Sequence, residues 1–324
     1  MGKTNHKTKL IAFLLAFTLA VLQIPVTAWA ASIRPADVEK ADSGNLLVGV
    51  SGSFERVSKD KILKRINKIR KEACDKGYIN PATGKKLKSS DYVEMKWSSD
   101  LEWIAQLRAA EAAVNESHTR PNGKSCFSIS YNGAQSWAEN LAWNYSGLMQ
   151  GIEQWYGEKG DWVKQNKNAV TGHYTSLINP NYQCIGLGSF VRSTGGWHAV
   201  SAEFGYSASG SQKQSNVKGK VIQTLEVKQK NVKQPQLNAP SSIKKNQKKQ
   251  LTVICNVAYP GIMGGTNTTK KAEIIKGITW KSSKPSVLSV SNSGKVTAKK
   301  AGKAVISAKM KGGKTVKKTI TVKK

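Results

Sequence analysis

The stretch VTGHYTSLINPNYQCIGLGSF, Val170 to Phe190, runs from a histidine word straight into a buried apolar segment. CIGLGSFV, followed by a Ser-Thr-Gly-Gly turn and GWHAVSAEFG, reads as two buried strands in a hairpin. Upstream the periodicity is helical. In KDKILKRINKIRKEACDKG, capped by Ser58 and ended by Gly77, residues Ile62, Ile66, Ile69 and Ala73 share one face. Ser99-Asp100-Leu101-Glu102 has the form of a capping box. It opens a second helix with Leu101, Ile104, Ala105, Ala109 and Ala112 as its buried stripe, ending near Asn115. A third helix is expected in GLMQGIEQWYGE, with Ile152, Trp155 and Tyr156 on one side. Helices first and strands after predict an α+β chain, with helices layered on a small sheet.

The ends of the chain differ in character. Lys3, Lys7 and Lys9 precede an apolar run from Leu10 to Val26 and the small-x-small site Ala28-Trp29-Ala30. Residues 1–30 therefore read as a secretory signal peptide. An uncleaved anchor is disfavoured, and no later stretch is apolar enough to span a membrane. Residues 31–57 are mixed and read as a loose N-terminal extension. Residues 31–212 carry 22 Lys/Arg against 18 Asp/Glu, whereas residues 213–324 carry 26 lysines against Glu226 and Glu273, a net of +24. Seven of the eight tryptophans beyond the signal lie between Trp97 and Trp197. A near-neutral, Trp-rich module is thus joined to a very basic one, with residues 207–235 composed like a linker. Within that linker, KVIQTLEVK can form a strand docked on either neighbour. After Pro240 the segments QLTVICNV, GITW, VLSVS, KVTA and AVISAKM alternate and are separated by turn residues, which predicts a β-sandwich. Export permits disulfides among Cys74, Cys126, Cys184 and Cys255, which allow three pairings. Cys126–Cys184 is favoured, since both lie in the first module, and Cys255 is expected to stay a free thiol.

Beyond the signal, only His118, His173 and His198 remain. None has the spacing of a helical metal motif, and a lone histidine is more often structural than functional. Their surroundings say more. SHTRPNG, SWAENLAWNYSG, IEQWYGEKGDW and TGHYTSLINPNYQCIGLGSF occur in this order, and together they resemble the CAP superfamily of SCP-like extracellular domains, bacterial branch, over residues 58–206. The resemblance implies an α-β-α sandwich with a cleft lined by His118, Glu139, Glu158 and His173. It implies a ligand bound there, with a divalent metal such as zinc on His118 and His173. The residue types suit that chemistry, because neutral imidazoles and carboxylates ligate zinc. Glu139 and Glu158 are also candidate general bases, which keeps open a hydrolase acting on peptide or wall material. Ala138 departs from the glycine usual before Glu-Asn, and Ser176 from the glutamine common in eukaryotic members. Ser117, Thr175 and Ser176 read as capping hydroxyls, and no Gly-x-Ser-x-Gly word supports a serine nucleophile. His198 has no such company in sequence.

The segment ITWKSSKPSVLSVSNSGKVTAKKAGKAVISAKM resembles the bacterial Ig-like domain, group 2, over residues 236–324. That implies a C-terminal all-β Ig-like sandwich serving as a spacer, adhesive or wall-associating module. Its charge points to an anionic polymer or surface reached through residues 213–324. Arginine is absent from these residues, as are stacking aromatics other than Trp280 and Tyr259, so specific nucleic-acid readout is not expected. The expectation is a secreted, cell-wall-associated protein. The alternatives are the hydrolase and an adhesin whose cleft is vestigial.

Overall fold

The computed structural model describes residues 32–207, 210–262 and 268–324. The signal peptide expected at residues 1–30 lies outside the described residues. The helices are α1 (Lys59–Asp75), α2 (Ser99–Ala112), α3 (Leu148–Gly157), α4 (Lys159–Val163) and α5 (Gly172–Ile178). Ser58 caps α1 as its sequence predicts, accepting from the Lys61 amide. The cap of α2 is Ser98, one residue earlier than the capping-box reading, and it accepts from the Leu101 amide. Helix α5 went unread in the sequence, because a seven-residue helix has too few apolar positions to show a period.

The central sheet places strands in the spatial order Val232–Asn238, Thr252–Tyr259, Thr268–Ile274, Asn45–Phe54, Cys184–Arg192, His198–Gly205 and Ala138–Asn144. Its two faces separate by residue parity. In Cys184–Arg192, residues Cys184 and Phe190 join one core, while Ile185 and Leu187 join the other. The second core is filled by Ile62, Ile66 and Ile69 of α1, Ile152 and Trp155 of α3, and Leu177 and Ile178 of α5. Each such side chain contributes roughly 1.5–3 kcal/mol. Helix α2 packs on the opposite face. A Cβ added at Gly186 would lie 2.0 Å from the Glu102 nitrogen, and one at Gly188 would lie 2.6 Å from the Ala105 oxygen. Those two glycines let the backbone of α2 lie directly on the sheet. The expected stripe Leu101, Ile104, Ala105, Ala109 and Ala112 is buried, but the helix is covered nearly all round, with Arg108 and Glu111 as buried as Leu101 and Ile104.

Two expected boundaries are replaced. Residues 31–57 are not a loose extension, since Asn45–Phe54 is an interior strand whose run Leu46, Leu47, Val48 and Val50 is buried. The segment 207–235 is not a bare linker. Its Gly219–Lys228 strand pairs antiparallel with all ten residues of Asn45–Phe54, from Asn45↔Lys228 to Phe54↔Gly219. The C-terminal region is rich in antiparallel strands. One sheet orders Ser242–Lys244, Thr315–Lys323, Gly302–Met310 and Ile278–Ser282, and a second orders Lys248–Gln250, Lys295–Ala298 and Leu288–Val290. Ile306, Ile320, Val322, Leu288 and Val296 are buried in the same core as Val253 and Val257. The Thr252–Tyr259 and Thr268–Ile274 strands leave this region to enter the central sheet, where Glu273↔Gly49 and Ile274↔Val48 are paired. No helix among the described residues is long and apolar enough to cross a membrane.

The cysteine expectation is also corrected. All four cysteines are free and buried. Cys126 lies beside His118 and Glu139, whereas the Cys184 thiol donates to the Ser207 carbonyl at 2.9 Å.

Candidate functional site

The strand Ala138–Asn144 is the end strand of the central sheet, and the four predicted residues gather at it. Glu139 points to the α2 side and meets His118, which follows α2. His118 Nδ1 lies 2.7 Å from Glu139 Oε1. From the other face, Glu158 at the C-terminus of α3 meets His173 in the first turn of α5, with His173 Nδ1 2.5 Å from Glu158 Oε1. The same carboxylate accepts from the backbone amides of His173 and Tyr174, through Oε2, at 2.9 and 3.0 Å. Asn140 ties the two halves by donating from Nδ2 to the His173 carbonyl at 2.9 Å. The imidazole centroids are 6.5 Å apart, with an interplanar angle of 25°. His118 is the outer ring, its side chain 56% exposed against 25% for His173.

Deeper supports hold each half. Arg70 of α1 is buried and donates to the carbonyls of Val93, Leu177, Asn179 and Tyr182, which clamps the exit of α5. Burial without a carboxylate partner lowers its pKa to about 10. On the α2 side, Arg108 donates from Nε to Glu139 Oε2 at 2.6 Å and from Nη1 to Glu111 Oε2 at 2.6 Å. Arg120 in turn bonds Glu111 and Asp37, each at 2.8 Å. Burial alone would raise the Glu139 carboxyl, but Arg108 and the hydrogen bonds from His118 and Arg108 hold it down at about 2. Across the sheet, Glu203 is directly opposite Glu139. It is fully buried and is pushed well above the usual carboxyl range, by burial first and the Glu139 charge second. Burial and the same charge push the Cys126 thiol up to about 12. Arg108 had no sequence signal, since nothing in AQLRAAEAA marks a helix that is wrapped on all sides, and no sequence pattern sets Glu203 opposite Glu139.

With a carboxylate on each Nδ1, that nitrogen is the donor, which leaves Nε2 as the ring atom facing away from the pair. Among the described residues neither Nε2 has a hydrogen-bond partner. A carboxylate on one ring nitrogen is the usual support for a histidine that ligates metal through the other, and His118 and His173 each have one. His118, Cys126 and Glu139 also place ligand atoms within 4.8 Å of one another. In that set the Glu139 carboxylate already accepts from Arg108 and His118. None of the four predicted residues lines the grooves of about 980 and 930 Å³, which lie along α1 and on the C-terminal sheet. The hydroxyls of Thr175 and Ser176 both donate to the Gly172 carbonyl, at 3.0 and 2.9 Å, and Ser117 accepts from the Thr119 amide. They stabilise turns.

His198 does have company. Its Nδ1 lies 3.1 Å from Ser189 Oγ and 3.7 Å from Glu55 Oε2. Ser189 is fully buried and donates to Glu55, which also accepts from the first amide of α3 at 2.7 Å. Both contacts use one ring nitrogen, so the cluster anchors the start of α3 and is not a nucleophile–base pair.

Residues 63–204 match the family model described as CAP, the cysteine-rich secretory protein family. Among curated proteins, "Venom allergen 5" of Vespa mandarinia is 25% identical over 164 residues, covering 49% of this chain and 78% of the allergen. "Venom allergen 5" of Vespa magnifica is 25% identical over 162 residues, covering 49% and 70%. Among solved structures, "Structure of BmVAL-1" aligns at a TM-score of 0.33 and 17% identity, over 50% of this chain and 82% of that one.

Proposed function

We propose, from the CAP domain formed by residues 63–204, that this is a secreted ligand-binding protein whose recognition edge is built on His118, Glu139, Glu158 and His173. The observation that carries the reading is the paired geometry: two imidazoles 6.5 Å apart, each fixed through Nδ1 by a carboxylate. In this reading His118 and His173 would hold a zinc ion, which would supply a Lewis-acidic contact for an anionic or carbonyl-bearing ligand. Glu139 and Glu158 orient the rings and fix their tautomer. The C-terminal strands form a bacterial Ig-like, group 2, module whose lysines associate the protein with an anionic cell-wall polymer. The test is metal analysis of the purified protein beside His118→Ala and His173→Ala. Near-stoichiometric zinc in the native protein alone supports the reading, and equal, near-zero contents remove the metal from it.

The hydrolase reading is weaker because both carboxylates are occupied. Glu139, held at about 2 with its oxygens on Arg108 and His118, is a poor base at neutral pH. Glu158, partly exposed, is the remaining candidate. Turnover of a peptide or wall digest that Glu158→Gln abolishes would favour this second reading.

A further inference from the structure

Several of the C-terminal lysines share one face of one sheet. In the strand Gly302–Met310 the even residues Ala304, Ile306, Ala308 and Met310 are buried, so Lys303, Val305, Ser307 and Lys309 share the outer face. Cross-strand register extends that face on both sides. Lys281 is opposite Ser307 on one neighbour, and Lys317 is opposite Ser307 on the other. The next row is Thr279, Lys309 and Thr315, and beyond Val305 lies Thr319. Lys281 and Lys317 are thus separated by two strand spacings, roughly 10 Å, with Lys309 one row along at roughly 7 Å. The groove here is about 930 Å³, and none of its lining residues is acidic. Among the described residues, the ammonium groups of Lys281, Lys303, Lys309 and Lys317 have no carboxylate or carbonyl partner. Lys311, at the rim, differs, since it donates to the Ala41 carbonyl at 3.0 Å.

Cations set this close repel one another, so the fold keeps them together at a cost that an anionic partner removes. We infer that the outer face of the Ile278–Ser282, Gly302–Met310 and Thr315–Lys323 sheet is the binding surface for a linear phosphate polymer. This rests on the surface-association reading above and narrows it to one face and one chemistry. The face has no aromatic ring to stack a base and no arginine fork to read one. It has no exposed apolar side chain to enter a bilayer; Val305 is half-buried. It does have lysines as point charges, interleaved with the exposed hydroxyls of Thr279, Thr315 and Thr319. Point charges and hydroxyl donors in a flat array suit phosphoryl oxygens recurring along a chain.

The experiment measures binding of long-chain inorganic polyphosphate to the full chain across a salt series. Two triple variants with equal charge loss are compared: Lys281→Gln/Lys309→Gln/Lys317→Gln on the face, and Lys64→Gln/Lys68→Gln/Lys76→Gln on exposed positions of α1 and its C-terminus. The face triple should weaken binding at least tenfold at 0.15 M salt. It should lower the slope of log K against log salt by about 2, the value for three phosphate contacts on a single strand. The α1 triple should stay within twofold of the parent. Equal losses in both triples overturn the assignment to this face while leaving surface association intact. Heparin or phosphatidylglycerol vesicles binding more tightly than polyphosphate overturns the phosphate-polymer occupant. If the parent binds none of the three, the surface-association reading itself fails.

Discussion

The buried acid at Glu203 gives the protein a stability that falls as pH rises. Its carboxyl titrates near 4.5 when exposed and is raised well above that in the fold. A raised acid is stabilised in its protonated form. Its favourable contribution is complete below 4.5 and is lost as pH climbs through the folded value. While the folded group stays protonated and the unfolded one ionises, each pH unit removes about 1.4 kcal/mol. Over the part of pH 5.5 to 7.0 that lies below the folded value, that rate lowers the melting temperature as pH rises. The neighbouring Glu139 carboxyl does not titrate in that window, because Arg108 and the hydrogen bonds from His118 and Arg108 hold it at about 2. In Glu203→Gln the proton is replaced by an amide, so this slope should vanish whatever the variant's absolute stability. The assay is thermal unfolding followed by circular dichroism at pH 5.5, 6.2 and 7.0 at constant ionic strength, for parent and variant. The parent's melting temperature should drop relative to the variant's as pH rises. Parallel pH profiles would show that Glu203 is ionised in the fold and that the charge assignment around Glu139 is wrong.

Arg108→Met leaves Glu111 and Glu139 buried without their shared cation, and it should cost about 3–5 kcal/mol in thermal unfolding, part of it recovered by adding Glu139→Gln. Gly188→Ala places a methyl 2.6 Å from the Ala105 carbonyl oxygen, so α2 must lift; a loss of about 1–3 kcal/mol is expected, and a neutral result would mean the helix does not lie on the sheet there. All four thiols should resist iodoacetamide in the native protein and react fully in urea, because each is buried and burial raises each of them. A disulfide in the intact mass would contradict this.

What the sequence revealed and what it hid follow one division. Periodicity found α1, α3 and the Cys184–Gly205 hairpin, because each buries one face or lies wholly inside. The strand Lys295–Ala298 matched KVTA residue for residue, since turn residues bracket it. The four residues of the edge were legible only through the order of four words, and the structure brings all four together. Arg108, Glu111 and Arg120 were illegible because a polar residue in a helix is read as exposed unless something shows that a second layer covers it. Asn45–Phe54 was missed for the opposite reason: a ten-residue interior strand shows no alternation, and its polar flanks masked it. The pairing of Cys126 with Cys184 rested on module membership alone, and the sheet keeps their thiols on different partners.

The ladder between Asn45–Phe54 and Gly219–Lys228 decides where this chain can be cut. A fragment ending at residue 206 keeps the histidine edge but strips a ten-residue strand of its whole partner, exposing Leu46, Val48 and Val50 beside open backbone amides. Such an edge recruits the nearest strand in solution, and that strand belongs to another copy. The family match at residues 63–204 leaves out both strands of that ladder, and a fragment that keeps it begins before Asn45 and runs at least to Lys228.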